Sequence, residues 1–177
     1  MNRRSVVSRC LAGLALATAL HAAPVRVFTP GELAARAELV VLGRVVELRA
    51  ERDTAGRPRT LTRLAVAEAW KGAPAGDVLT IAQGGGVLGQ EAVESAGEVR
   101  LAVGDRVVAF LRRGSAGDWI WVARDQGCFA VTESAGQPLA GNGHWGSPRA
   151  PQGGVTPPHQ RPLGLGELRR RVEEEAP

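Results

Sequence analysis

Hydrophobic positions along the middle of the chain recur with the period of β-strands rather than helices. Leu39 to Leu42 is apolar at four successive positions, and Arg44 to Leu48 alternates more loosely. A run apolar on both faces suits a strand covered on both sides. Gly43, in mid-strand, predicts a bulge or a sharp bend. Leu61 to Trp70 reads as a second strand, with Leu64 and Val66 on one face and Arg63 on the other, and Val78 to Ala82 reads as a short third. The continuous apolar run Val107 to Leu111 is a fourth, Trp119 to Ala123 a fifth and Cys128 to Thr132 a sixth. Turn signals separate them at Asp53 to Pro58, Lys71 to Pro74 and Gly114 to Asp118. Short strands spaced in this way predict a sandwich or a barrel.

Only the two ends of this β segment carry helical signals. Thr29-Pro30-Gly31-Glu32 has a capping residue, a proline for the first turn and an acid at the capping-box position, so a short helix is expected from there to about Ala37. Leu165, Leu168 and Val172 recur at helical spacing and predict a second short helix. Gly84 to Glu98 is Gly-rich without clear period and reads as an inter-strand loop; residues 134–162 are rich in Gly, Pro, Ser, Asn and Gln and read as an irregular surface loop.

The first residues follow a different logic. Arg3, Arg4 and Arg9 precede an apolar run from Leu11 to Leu20, and small residues follow at Ala22 and Ala23. That order is expected of a secretory signal peptide over residues 1–22. The run is too short for a transmembrane span, which needs about 20 apolar residues. The expected division is a signal peptide over 1–22, a β-barrel domain over 23–133, an irregular loop over 134–162 and a C-terminal helix and tail over 163–177.

Removal of the signal changes the charge and the cysteine count. The full chain has 22 Lys+Arg against 18 Asp+Glu. Loss of three arginines leaves it nearly neutral, so the basic isoelectric point of 10.3 reflects arginine in place of lysine more than a basic field. The arginines are dispersed, and the cluster Arg169 to Arg171 is offset by Glu173 to Glu175. Nucleic-acid binding calls for a concentrated basic patch, and none is present. Cys10 leaves with the signal, so Cys128 has no partner for an internal disulfide and a core must hold the fold. A mature chain of about 154 residues is long enough to build one.

Ala37-Glu38-Leu39-Val40-Val41-Leu42-Gly43-Arg44-Val45-Val46 and Val66-Ala67-Glu68-Ala69-Trp70-Lys71-Gly72 carry a resemblance. They are similar to the opening of the netrin-like, TIMP-like OB-fold module. In that family a short helix feeds a strand of this pattern, and the next strand ends in an aromatic-Lys-Gly. The chain also resembles a group of small exported bacterial proteins of unknown function, through the Gly-rich stretch, Gly104 to Leu111 and Gly127 to Val131. The resemblance implies a mainly β, OB-like, closed or partly open barrel of five to six strands, with a short helix at each end. Metalloproteinase inhibitors of this fold chelate the protease zinc through a processed N-terminal cysteine. Here the expected mature chain starts near Ala23 or Pro24, without one, so that chemistry is not implied.

Candidate chemistry is sparse. Gly84-Gly85-Gly86-Val87-Leu88-Gly89 spells G-x-G-x-x-G after a strand, but no helical pattern follows to receive a pyrophosphate, so no nucleotide cofactor is expected. A ligand or partner contact at Gly84, Gly85 and Gly86 remains open. Cys128 is a candidate free thiol, needing a base and an electropositive setting to act as a nucleophile. His144 and His159 are the only histidines of the expected mature chain. With Cys128 they lack the close pairs of a zinc site, so no metal is expected. Trp119 and Trp121 share a strand face, where core packing competes with stacking on a ligand. Trp145, beside His144 in a polar loop, either pins that loop or contacts a partner.

The first reading is an exported, non-enzymatic module that binds an exported or cell-surface protein, one form being a modulator of an exported protease. The alternatives are a small-ligand binder or enzyme using the Gly-rich loop with Cys128 or His144, and a structural component of the cell envelope.

Overall fold

A computed structural model describes residues 26–145 and 161–175. The expected signal peptide, His159 and the stretch 146–160 lie outside the described residues. The elements run α1 (Pro30–Arg36), β1 (Leu39–Arg52), β2 (Pro58–Lys71), β3 (Val78–Gly84), β4 (Gly86–Leu88), β5 (Glu91–Val93), β6 (Arg106–Arg113), β7 (Trp119–Trp121), a 3₁₀ turn (Arg124–Gly127), β8 (Cys128–Ser134), β9 (Gln137–Gly141), β10 (Leu163–Gly164) and α2 (Leu165–Glu173). Among the described residues the chain is mainly β with two helices, as the periodicity indicated. Neither helix is long and apolar enough to cross a membrane.

Eight strands form one sheet in the order β1-β2-β3-β7-β6-β8-β9-β10, and β1 pairs again with β6. The sheet therefore curls until its first strand meets its fifth. The return path is narrow: β3 and β7 touch through the single parallel pair Ile81 and Trp119. Five to six strands were expected of a barrel; five, β1, β2, β3, β7 and β6, lie on the curled part, and β8, β9 and β10 extend the sheet to eight.

Curling makes two cores. Inside it pack Leu39, Val41, Val45, Leu64, Ile81, Val107, Ala109, Leu111 and Trp121. Outside it, Val40, Leu42, Val108, Phe110 and Phe129 meet Leu33 and Ala34 of α1 and Leu168 and Val172 of α2. Alternate residues of β1 and β6 thus enter different cores, which is why both strands read as continuously apolar. Gly43 lies where the β1–β2 register shifts, between Leu42 and Gly43. A Cβ there would stand 2.6 Å from the Ala65 carbonyl, so glycine permits the bend.

The helix start is as expected. Thr29 Oγ1 accepts from the Glu32 amide at 3.2 Å, and the Glu32 carboxylate accepts from the Thr29 amide at 2.9 Å. This reciprocal cap holds the first turn and turns Leu33 and Ala34 inward.

Two stretches expected to be irregular contain strands among the described residues. Gly84 to Glu98 contains the β4–β5 hairpin, a separate two-stranded sheet. Residues 134–145 contain β9, joined to β8 by Ala135 and Gly136 at φ 49° and 75°. Two consecutive positive φ values give the tight turn whose twist matches a hairpin. The sequence masks it by placing alanine where asparagine or glycine is usual.

Candidate functional site

The Gly-rich motif forms a corner. Gly84 ends β3 and Gly86 begins β4, with Gly85 at φ 90° and Gly86 at φ 141° between two strands. The space is as restrictive as the backbone. A Cβ on Gly85 would lie 2.8 Å from the Val93 carbonyl, and one on Gly86 would lie 2.6 Å from Thr60 Oγ1. The Gly85 amide donates to the Pro58 carbonyl at 3.0 Å, and Thr60 Oγ1 donates to the Gly85 carbonyl at 2.9 Å. The expected inter-strand loop is thus a fixed corner here, and a strand follows it where a dinucleotide site would need a helix N-terminus.

This corner presents the β4–β5 hairpin. Val87 faces Ala92 across it, and both are exposed, Val87 at 67 %. Val93 is 38 % exposed. At the hairpin's side, Arg52 holds Glu91 at 2.8 Å.

A band of contacts joins the corner to the second segment singled out in the sequence. Gly85 lies against Ser95. Two residues on, the Gly97 carbonyl accepts from the Asp125 amide at 3.1 Å, and the Ala96 carbonyl accepts from the Arg124 guanidinium at 2.7 Å. Ala123 and Arg124 both have positive φ, at 49° and 60°, so the 3₁₀ turn begins on a strained pair. Asp125 Oδ2 stands 3.3 Å from His144 Nε2. Asn142 Oδ1 then accepts from the amides of His144 and Trp145 at 2.8 and 2.6 Å.

Trp145 is a core residue. It is 8 % exposed, packs among the residues between sheet and helices, and donates from Nε1 to the Phe28 carbonyl at 2.9 Å. Of the two roles open in the sequence, the structure shows it pinning its loop. Two polar residues that sequence reasoning passed over complete the pin. Buried Gln126 accepts from the Phe28 amide and donates to the Arg26 carbonyl, both at 2.9 Å. Buried Asn142 donates to the Gln126 carbonyl at 2.8 Å. Neither residue carries a sequence signal, because a glutamine and an asparagine in polar surroundings look solvated.

Cys128 opens β8 opposite Ala109 and lines the inner core at 7 % exposure. Burial, reinforced by the negative charges of Asp105 and Asp125, pushes the thiol far above its ordinary range. It stays protonated at neutral pH, which removes the thiolate that nucleophilic chemistry requires. Among the described residues, no three of His, Cys, Asp and Glu gather as a metal-ligand set. Trp121 lies in the inner core, while half-buried Trp119 carries the Arg113 guanidinium 3.8 Å above its ring.

The face of β1, β2 and β3 away from the inner core bears a groove of about 190 Å³, lined by Glu47, Arg49, Leu61, Arg63 and Thr80. Its charges are committed to one another or to neighbours. Arg63 pairs with Glu47 at 2.8 Å and Arg49 with Glu51. Glu51 also takes Arg59, whose hydrogen bond is the main cause holding the Glu51 carboxyl below its ordinary range. Compared with known proteins, the chain matches no family model, and no curated protein matches it.

Proposed function

We propose that this chain is an exported, non-enzymatic protein-binding module on an OB-like, TIMP-like barrel, with the β4–β5 hairpin as its contact element. Its partner is an exported or cell-surface protein, and modulation of an exported protease is one form of the role. The OB-like reading draws support from the pairing order, which runs from β1 through β2, β3, β7 and β6 back to β1 with only β3–β7 parallel. Export draws support from the charged, apolar and small segments at the start of the sequence.

The observation that carries the binding reading is the hairpin. It stands apart from the large sheet, its base is fixed by the glycine corner, and Val87, Ala92 and Val93 are exposed. Apolar side chains on an element whose base is already fixed meet a partner at a reduced ordering cost. The buried thiol and the mutually paired charges of the groove give the small-ligand and thiol-enzyme readings less support.

A photo-crosslinking residue in place of Val87, with a second at exposed Arg170 on α2 as control, tests this in cells exporting the protein. The expected result is a discrete adduct with an exported or cell-surface protein from position 87 and none from position 170. No adduct at 87, or the same adducts at both positions, overturns the reading.

A further inference from the structure

The closure of the sheet is uneven, and the weak place coincides with the least satisfied polar groups. Antiparallel ladders join β1 to β2, β2 to β3 and β1 to β6 over most of their lengths. Between β3 and β7 there is one pair, Ile81 and Trp119. Two residues further along each of these strands stand Gln83 and Trp121.

Trp121 is 5 % exposed. Among the described residues, Trp121 Nε1 and Gln83 Oε1 are the buried side-chain polar atoms without a hydrogen-bond partner. The Gln83 amide is not free to turn, because its Nε2 donates to the Val99 carbonyl at 2.9 Å. A buried donor or acceptor left unpaired loses its hydration without compensation. Separating β3 from β7 breaks one bridge and returns both groups to water. Separating β1 from β6 breaks a full ladder and exposes Val41, Val107 and Ala109, which bury no unpaired polar group.

What resists separation is apolar contact at Ile81 and the ion pair of Arg59, on β2, with Asp118, just before β7, at 3.0 Å. Arg59 and Asp118 are 29 % and 44 % exposed, so salt screens their attraction.

We propose that the sheet opens at the β3–β7 seam as a local, reversible event separate from global unfolding, and that this is a conformational device built into the fold. The opening uncovers the inner core at Trp121 and frees an edge of each strand. It does not depend on the binding role of the hairpin.

The Trp121 indole N–H reports it directly. Native-state hydrogen exchange by NMR, across a urea series and at two salt concentrations, compares that proton with the backbone amides of β1 and β6. The expected result is exchange at least about tenfold faster than those amides, with weak urea dependence, as a sub-global opening gives. Raising the salt concentration accelerates the indole proton and leaves the β1 and β6 amides in place. Exchange of the indole proton in step with the β1 and β6 amides at every urea concentration overturns the proposal.

Discussion

Replacing Gln126 by alanine tests whether the N-terminal strap is held by a buried side chain or merely lies on the surface. The substitution removes the acceptor of the Phe28 amide and the donor to the Arg26 carbonyl, both 2.9 Å bonds. The backbone carbonyl of residue 126 still receives Asn142, so the loss is confined to the strap. Two net hydrogen bonds account for about 1–3 kcal/mol, and the partly buried Phe28 amide adds an unsatisfied donor, for a total of about 2–4 kcal/mol. The exposed Arg26 carbonyl takes water and adds little. Arg26 and Arg36 also lie over the Phe28 ring, at 4.9 and 4.6 Å. Exposed contacts of that kind contribute about 0.5–1 kcal/mol each and do not replace the lost bonds. In a domain of about 150 residues the melting temperature should fall by about 5–15 °C. Urea unfolding followed by tryptophan fluorescence measures the change, since Trp145 donates to Phe28. Gln126→Glu separates the two bonds: it keeps the acceptor but turns an oxygen toward the Arg26 carbonyl, and should lose more than half of the same stability. A Gln126→Ala variant within about 0.5 kcal/mol of the parent refutes the reasoning, because a change that small belongs to an uncommitted surface position.

Gly127→Ala drives a new Cβ into the Val122 carbonyl, and should cost about 2–3 kcal/mol or more in urea unfolding. Gly117→Ala is the contrast: its cost comes only from φ 83° in open space, and should be about 1 kcal/mol. Cys128 predicts an alkaline limb. Its folded pKa is raised, so the thiol's contribution is fully present below the unfolded pKa of about 8.5. Above that value the unfolded thiol ionises while the folded one does not, and stability falls by about 1.4 kcal/mol per pH unit. Cys128→Ala should abolish that part of the slope in unfolding curves from pH 8 to about 10. Tyrosine is absent and Lys71 is the only lysine, so few other groups titrate there.

The mainly β class, the capped first helix and the bulge at Gly43 were legible because each rests on local chemistry. Strand period, capping geometry and the lack of a side chain are all visible within a few residues. The second helix was legible for the same reason, through Leu168 and Val172. The β4–β5 hairpin and β9 were not. Their strands are three and five residues long, too short for alternation to stand out, and one turn hides an alanine at positive φ.

The candidate residues failed to announce their roles for a related reason. Gly84 to Gly86, His144 and Trp145 attracted notice because they break the surrounding pattern, and a broken pattern marks constraint without saying whether fold or function imposes it. For the glycines and Trp145 the constraint is structural: a corner without room for a Cβ, and an indole that pins its loop to Phe28. Gln126 and Asn142 sit in the same pin and break no pattern. Their burial depends on Phe28, 98 residues from Gln126 in sequence, and no local window contains that fact. Val87 shows the converse. In a stretch that reads as a loop it lies on a strand, and it is among the most exposed apolar side chains because its hairpin pairs outside the large sheet. Whether an apolar strand residue faces a core or solvent is decided by which strands pair, so an exposed apolar surface of this kind becomes visible only once the topology is known.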